Sequence, residues 1–66
     1  MKTLFEQTEV PRTRPAFIDV WETPDGKDVL LMVGTGYYFV YCAGQWFRTD
    51  TNNTDEINAE LKTKLT

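Results

Sequence analysis

Three short glycine-containing turns divide the middle of this chain into segments of strand length. They are TPDG at residues 23–26, GTG at 34–36 and AG at 43–44. In the first, proline pre-sets φ at the second turn position and glycine accepts a positive φ at the fourth. Turns at this spacing, between segments rich in β-branched and aromatic residues, predict consecutive antiparallel hairpins.

The turn lengths also predict which residues lie opposite one another. A type I turn with a glycine bulge makes a three-residue loop at 24–26, and residues 43–44 make a two-residue loop. The expected cross-strand pairs are Thr23 with Lys27, Trp21 with Val29, Asp19 with Leu31, Phe17 with Val33, Cys42 with Gln45, Tyr41 with Trp46, Phe39 with Arg48, and Tyr37 with Asp50. At 34–36 either glycine can take the positive φ, so the register of the middle hairpin stays open.

The first 14 residues form an arm ahead of the hairpins. Pro11 and Pro15 bracket its two arginines, Arg12 and Arg14. Each proline disfavours helical φ and ψ in the residue before it, so this part of the arm is expected to be an extended connection. Residues 3–10 fit either a short edge strand or a short helix.

The last segment predicts a helix over residues 54–65. Asn53 or Thr54 can serve as its N-cap, and Asn53 with Glu56 has the spacing of a capping box. Apolar residues recur every four positions along one narrow stripe, at Ile57, Leu61 and Leu65. A helix of about three turns is marginal alone and must dock on the sheet.

These elements predict one α+β domain over residues 1–66. The expected fold is a four- to five-stranded antiparallel β-meander over residues 16–50, with the C-terminal helix packed on one face. The optional fifth strand would come from the N-terminal arm. A small SH3-like barrel is the alternative, because a curled sheet can cover its own second face.

The size of the chain limits how it can be stabilised. A domain of 66 residues buries only roughly 60% of its unfolded surface and is marginal alone. Folds this small usually rely on disulfides, a metal or another subunit. Cys42 is the only cysteine and histidine is absent, so an internal disulfide is excluded and no metal or other cofactor is expected. The remaining means of stabilisation are an unusually well-packed core and self-association.

The apolar residues exceed what one helix can cover. A half-exposed antiparallel strand should alternate apolar and polar residues, yet residues 29–33 and 37–42 are apolar on both faces. We expect the helix to pack on the aliphatic set, with Val40 and Phe47 contributing; that set is Ile18, Val20, Leu30 and Met32. The second face then holds the predicted binding residues Tyr37, Phe39, Tyr41, Trp46 and Arg48.

Four arrangements can cover that second face. The sheet can curl into a barrel, or the N-terminal arm with Leu4, Phe5 and Val10 can fold across it. A second copy of the chain can pack on it, or the face can be kept for another partner or ligand. Tyrosine, tryptophan and arginine are enriched in interface hot spots, although aromatic residues are also ordinary strand and core residues.

Enzymatic chemistry finds little support in the sequence. Histidine and serine are both absent, so the usual catalytic triads are excluded and we predict no catalytic residue. Cys42 lies in an apolar strand, where burial raises a thiol's pKa and makes it inert. Asp19, between Ile18 and Val20, is the one candidate polar site, and an exposed position on an edge strand is its simpler interpretation. Residues 50–56 (DTNNTDE) begin like a calcium loop but lack its glycine and its last glutamate.

The sequence therefore predicts a non-enzymatic protein-interaction module, most plainly a homodimer, of the accessory or viral host-modulating kind. Two alternatives remain: a single-strand nucleic-acid binder using the aromatic residues, and a small-ligand-binding domain in which Asp19 or Arg48 orients the ligand. Seven basic and ten acidic residues disfavour direct nucleic-acid binding. Neither a membrane span nor a signal-peptide core is visible, so we expect a cytoplasmic protein.

Overall fold

The computed structural model describes residues 3–65, which form one sheet and one helix. The elements are β1 (Phe5–Thr8), β2 (Ala16–Glu22), β3 (Asp28–Val33), β4 (Tyr38–Cys42), β5 (Gln45–Thr49) and α1 (Thr54–Lys64). All strand pairs are antiparallel, in the order β1-β5-β4-β3-β2. The predicted meander with a C-terminal helix is confirmed, and the N-terminal arm supplies the fifth strand. The barrel alternative is wrong, because β1 and β2 are the two edges of an open sheet.

Two of the three turns have the predicted geometry. The Thr23 N–H donates to the Lys27 carbonyl at 2.8 Å and the Gly26 N–H donates to the Thr23 carbonyl at 2.9 Å, with Gly26 at φ 89°. Ala43 and Gly44 have φ values of 51° and 75°. Two consecutive positive values are what a type I′ hairpin turn requires. The sequence-predicted pairs between β4 and β5 therefore hold, from Cys42–Gln45 to Phe39–Arg48.

The middle turn determines which side of β3 the helix covers. Gly36 takes the positive φ, 81°, and the Gly34 N–H donates to the Tyr37 carbonyl at 2.8 Å. This register sets Leu31 opposite Val40 and Met32 opposite Phe39. The helix consequently covers Val29 and Leu31, and the predicted packing of α1 on Leu30 and Met32 is wrong. Those two residues share a face with the aromatic side chains instead.

A β-bulge in the edge strand β2 overturns one more predicted pair. The register shifts between Phe17 and Asp19, so Phe17 lies opposite Met32 and not opposite Val33. Ile18 is the extra residue. Because successive side chains of a strand alternate between faces, the bulge moves Phe17 to the face away from the helix.

The core lies between α1 and one face of the sheet, which we call the closed face. Its buried residues are Phe5, Val29, Leu31, Val40, Cys42, Phe47, Ile57 and Leu61. The rings of Phe5 and Phe47 are 5.2 Å apart. The Trp21 indole N–H donates to the Asn58 side-chain oxygen at 2.8 Å and ties β2 to the helix. Predicted stripe residues Ile57 and Leu61 are thus buried by the sheet.

The helix begins at Thr54, as predicted, and ends at Lys64, one residue earlier than predicted. Asn53 is the N-cap, and its side-chain oxygen accepts from the Glu56 N–H at 3.0 Å. The capping box is incomplete, because the Glu56 carboxylate accepts from the hydroxyls of Thr3 and Thr51. The Asn53 N–H donates to the Thr51 hydroxyl at 3.1 Å instead.

Candidate functional site

The face of the sheet opposite α1, which we call the open face, is built from residues that pair across all five strands. Two rows follow from the registers. One is Glu6, Arg48, Phe39, Met32 and Phe17; the other is Thr8, Trp46, Tyr41, Leu30 and Val20. The segment 9–15 joins β1 at one edge to β2 at the other, and it lines a cavity together with Arg48 and Phe39 of this face.

The five predicted binding residues form one continuous set of contacts here. Ring centroids are 5.1 Å apart for Tyr37 and Phe39, 6.3 Å for Phe39 and Trp46, and 5.0 Å for Tyr41 and Trp46. The Arg48 guanidinium lies 5.6 Å from the centre of the Tyr37 ring, within cation–π range. All five side chains are half-buried. The structure brings them together, and their role in binding stays a prediction.

Glycine at position 34 makes this ring cluster sterically possible. A Cβ atom there would lie 2.9 Å from the Phe39 ring and 3.1 Å from the Tyr37 ring. The contact with Phe39 is too short and the one with Tyr37 is tight, so a side chain at position 34 would push the rings away from the turn. The steric role of Gly34 differs from that of Gly36, which supplies the positive φ.

Sequence reasoning missed the most exposed apolar part of the face. Phe17 and Val20 of β2 are 59% and 54% exposed. The sequence predicts that Val20 and Ile18 lie under the helix. The sequence of β2 does indicate an exposed apolar patch, because this edge strand carries large apolar residues on both faces. Which of them lie on the open face depends on the bulge, and the sequence does not predict the bulge.

Asp19 lies on this edge strand, where it binds a backbone amide. The Thr23–Lys27 hydrogen bond fixes which N–H groups of β2 point toward β3, and because these alternate along a strand, the Val20 N–H points away from the sheet. The Asp19 carboxylate accepts from that N–H at 2.8 Å. Asp19 therefore satisfies an edge donor, and its register opposite Leu31 places it away from the open face.

The remaining chemistry of the described residues is sparse. Cys42 is fully buried, and burial raises the pKa of its thiol above the ordinary value. Protonated and inaccessible, it is a poor nucleophile. Within residues 3–65 no group of three or more acidic or cysteine side chains is placed to hold a metal ion.

A second, smaller cavity of about 390 Å³ lies between the 23–27 turn and α1. Thr23, Asp25, Lys27, Leu61 and Leu65 are among its lining residues. The Lys27 ammonium and the Thr23 hydroxyl both bind the Asp25 carboxylate and lower its pKa to about 2. Asp25 and Lys27 of this cavity are thus already paired with each other.

Helix α1 is too short and too polar to cross a membrane, and it is the one helix in the described part of the chain. Comparison with known proteins found no family model, no curated protein and no solved structure that matches this chain. What can be said of its function therefore rests on the geometry above.

Proposed function

We propose that this protein is a non-enzymatic interaction module that associates with a second copy of itself through the open face. The observation that supports the proposal is the exposure of Phe17 and Val20 beside the half-buried aromatic cluster. Contiguous apolar surface of this kind is uncommon on monomers and usually marks an interaction site. A domain this small also gains stability from a partner subunit.

The size of the face suits a small dimer. Strands about 4.8 Å apart and a rise of about 3.3 Å per residue give it roughly 24 Å by 17 Å. Two such faces pressed together would remove on the order of 1,000 Å² of accessible surface, the lower range for a specific interface. Its composition fits as well, since the Trp46, Tyr41 and Phe39 rings lie on interior strands and the charged Glu6 and Glu22 lie on the edge strands β1 and β2.

Face-to-face packing fits the structure better than pairing of two edge strands. An unpaired edge such as β2 can accept another strand through its free N–H and C=O groups. Here the bulge at Ile18 interrupts the edge, and the Asp19 carboxylate occupies the Val20 N–H. Another strand would have to displace that carboxylate, whereas nothing obstructs the side chains of the open face on the same strand.

We also propose a cytoplasmic location, in keeping with a single cysteine that the fold buries as a thiol. Cytosolic conditions keep such thiols reduced. A fusion to a fluorescent protein, imaged in the native cell, tests this; secretion or membrane retention of the fusion would contradict it.

The experiment for self-association is solution mass by light scattering at about 200 µM and about 1 µM protein, a span that covers micromolar dissociation constants. We expect twice the chain mass of 7.7 kDa at the higher concentration. Val20→Asp places a charge in the open face at an exposed position, so it should give a folded monomer. Ala59→Asp adds the same charge on the exposed surface of α1 and should leave the dimer intact.

Two results would overturn the proposal. One is a wild-type monomer at the higher concentration. The other is an unchanged mass for Val20→Asp when circular dichroism shows the wild-type fold. The second outcome would mean that the copies meet elsewhere.

A further inference from the structure

All three arginines of this chain line one cavity. The cavity has a volume of about 570 Å³ and lies where the segment 9–15 passes the end of the sheet at the 34–36 turn. Arg12 and Arg14 come from that segment and Arg48 from β5, and the wall also includes the Tyr37 and Phe39 rings and one carboxylate, Glu9. The chain as a whole has a net charge of −3. Positive charge is therefore concentrated at this cavity although the chain as a whole is acidic.

The guanidinium groups retain donors without acceptors. Arg12 and Arg14 are exposed, and neither has a carboxylate partner among residues 3–65. Arg48 pairs with Glu6 through one terminal nitrogen, but its Nε is buried without an acceptor in the described part of the chain. Arg12 and Arg14 are therefore the groups available to an anion, whereas the Arg48 Nε exposes no surface to the cavity.

The cavity is also held in shape before any ligand arrives. Pro11 and Pro15 fix φ at both ends of the arginine segment, and strands β1 and β2 anchor its flanks. The Tyr37 ring beneath Arg48 restricts that guanidinium. A site organised in this way loses less conformational entropy on binding than one on a free loop.

We propose that this cavity binds the oxyanion group, phosphate or carboxylate, of a small-molecule ligand. Guanidinium groups bind both oxyanions through paired, charge-assisted hydrogen bonds. The volume falls within the usual range of small-molecule sites, which is about 300–1,000 Å³. The Tyr37 and Phe39 rings give the remainder of the ligand an apolar surface. This site goes beyond the proposed self-association, because its ligand is neither a protein nor held by the exposed β2 residues.

Titration of ¹⁵N-labelled protein at low salt, followed by amide chemical shifts, tests the proposal. Pyrophosphate and citrate serve as probes in separate arms. We expect saturable shifts confined to residues 9–16, 33–39 and 47–49 with at least one of them. A response to pyrophosphate alone identifies a phosphate ligand, a response to citrate alone a carboxylate ligand, and a response to both identifies a site for either group.

The variant Arg12→Gln/Arg14→Gln should weaken the response at least about tenfold, since two charge-assisted contacts are removed. The matched control is Lys62→Gln/Lys64→Gln, which removes the same charge from α1 and should change the affinity less than twofold. Equal weakening by both variants would mean non-specific attraction and would overturn the proposal. The absence of saturable shifts up to roughly 10 mM of either probe, a very weak affinity, would overturn it as well.

The two proposals can fail separately. Val20→Asp, which should abolish the dimer, lies outside the cavity lining and should keep the oxyanion response. Arg12→Gln/Arg14→Gln should lose that response and keep the solution mass of the wild type.

Discussion

The two faces of the sheet are both apolar, but they are covered in different ways. On the closed face, α1 and β1 leave Val40 and Phe47 at 0% and 1% exposure. On the open face, aromatic rings cover one another in edge-on and tilted contacts, and Phe17 and Val20 of β2 stay more than half exposed. One short helix covers one face of a five-stranded sheet, and on the other face packing among the rings covers only part of the apolar surface.

The comparison also separates two uses of aromatic residues. Phe47 packs against Phe5 and the helix, where each ring loses nearly all its contact with water. Phe39 contacts Tyr37 and Trp46 while keeping part of its surface accessible. Half-buried aromatic rings next to an arginine are typical of surfaces that gain further burial on binding.

The largest expected effect compares these two phenylalanines. Phe47→Ala should lower the free energy of unfolding by about 3–5 kcal/mol, because it removes a fully buried ring and leaves a cavity. Phe39→Ala should cost about half as much, because part of that ring's surface is already in water. Urea denaturation followed by circular dichroism, at about 1 µM to limit self-association, measures both.

Equal losses of unfolding free energy for the two variants would contradict this expectation, because they would mean that the open face is packed as tightly as the closed one. If Phe47→Ala does not fold, Phe47→Leu provides a milder test on the closed face of the sheet. It should still cost more than Phe39→Leu.

A smaller effect concerns the helix that covers the closed face. Asn53→Ala removes the acceptor of the Glu56 N–H and should cost about 1 kcal/mol of stability. Cys42 lies under the helix with its thiol fully buried, so alkylation of the thiol requires opening. The alkylation rate should then rise about fivefold, in proportion to the opened population.

Asn53→Asp is the matched control, because aspartate is an equally good N-cap. Its alkylation rate should remain near that of the wild type. A rate that Asn53→Ala leaves unchanged would show that Cys42 is reached by a route other than release of α1.

The smallest effect belongs to the 23–27 turn, which joins β2 to β3. The hydrogen bond from Lys27, followed by that from Thr23, lowers the pKa of Asp25 from 3.8 to about 2. A folded-state pKa below the unfolded value means that the ionised carboxylate favours the folded state above about pH 4. Asp25→Asn should therefore melt slightly below the wild type at pH 7, and the two melting temperatures should converge as the pH falls from 3.8 to about 2.

Thermal melts of the wild type and Asp25→Asn at pH 7 and pH 2 make this comparison. Lys27→Gln, which removes the cation paired with Asp25, is the companion variant. Because Asp25 and its Lys27 partner are exposed, added salt should reduce the difference. A difference between Asp25→Asn and the wild type that persists at pH 2 would contradict the ionic origin of the effect.

Much of the candidate site could be predicted from the turns alone. The two-residue loop at Ala43-Gly44 was enough to place Tyr41 beside Trp46 and Phe39 beside Arg48, since side chains alternate along a strand. The position of Phe17 could not be predicted in the same way, because a single extra residue in β2 reverses the face of everything before it. The cavity around Arg12, Arg14 and Arg48 was equally out of reach, because it joins an extended arm to a strand 34 or more positions later.

The sequence by itself determined the hairpins, the helix and the absence of an internal disulfide, and it limited the N-cap to Asn53 or Thr54. These depend on local properties: the φ that glycine and proline permit, the side chain that caps a helix, and the count of one residue type. Only the tertiary structure decided which side of β3 lies under α1, that Gly36 and not Gly34 takes the positive φ, and that the arm brings its arginines to Arg48. These depend on contacts between distant segments, where many residues together select one of several locally acceptable arrangements.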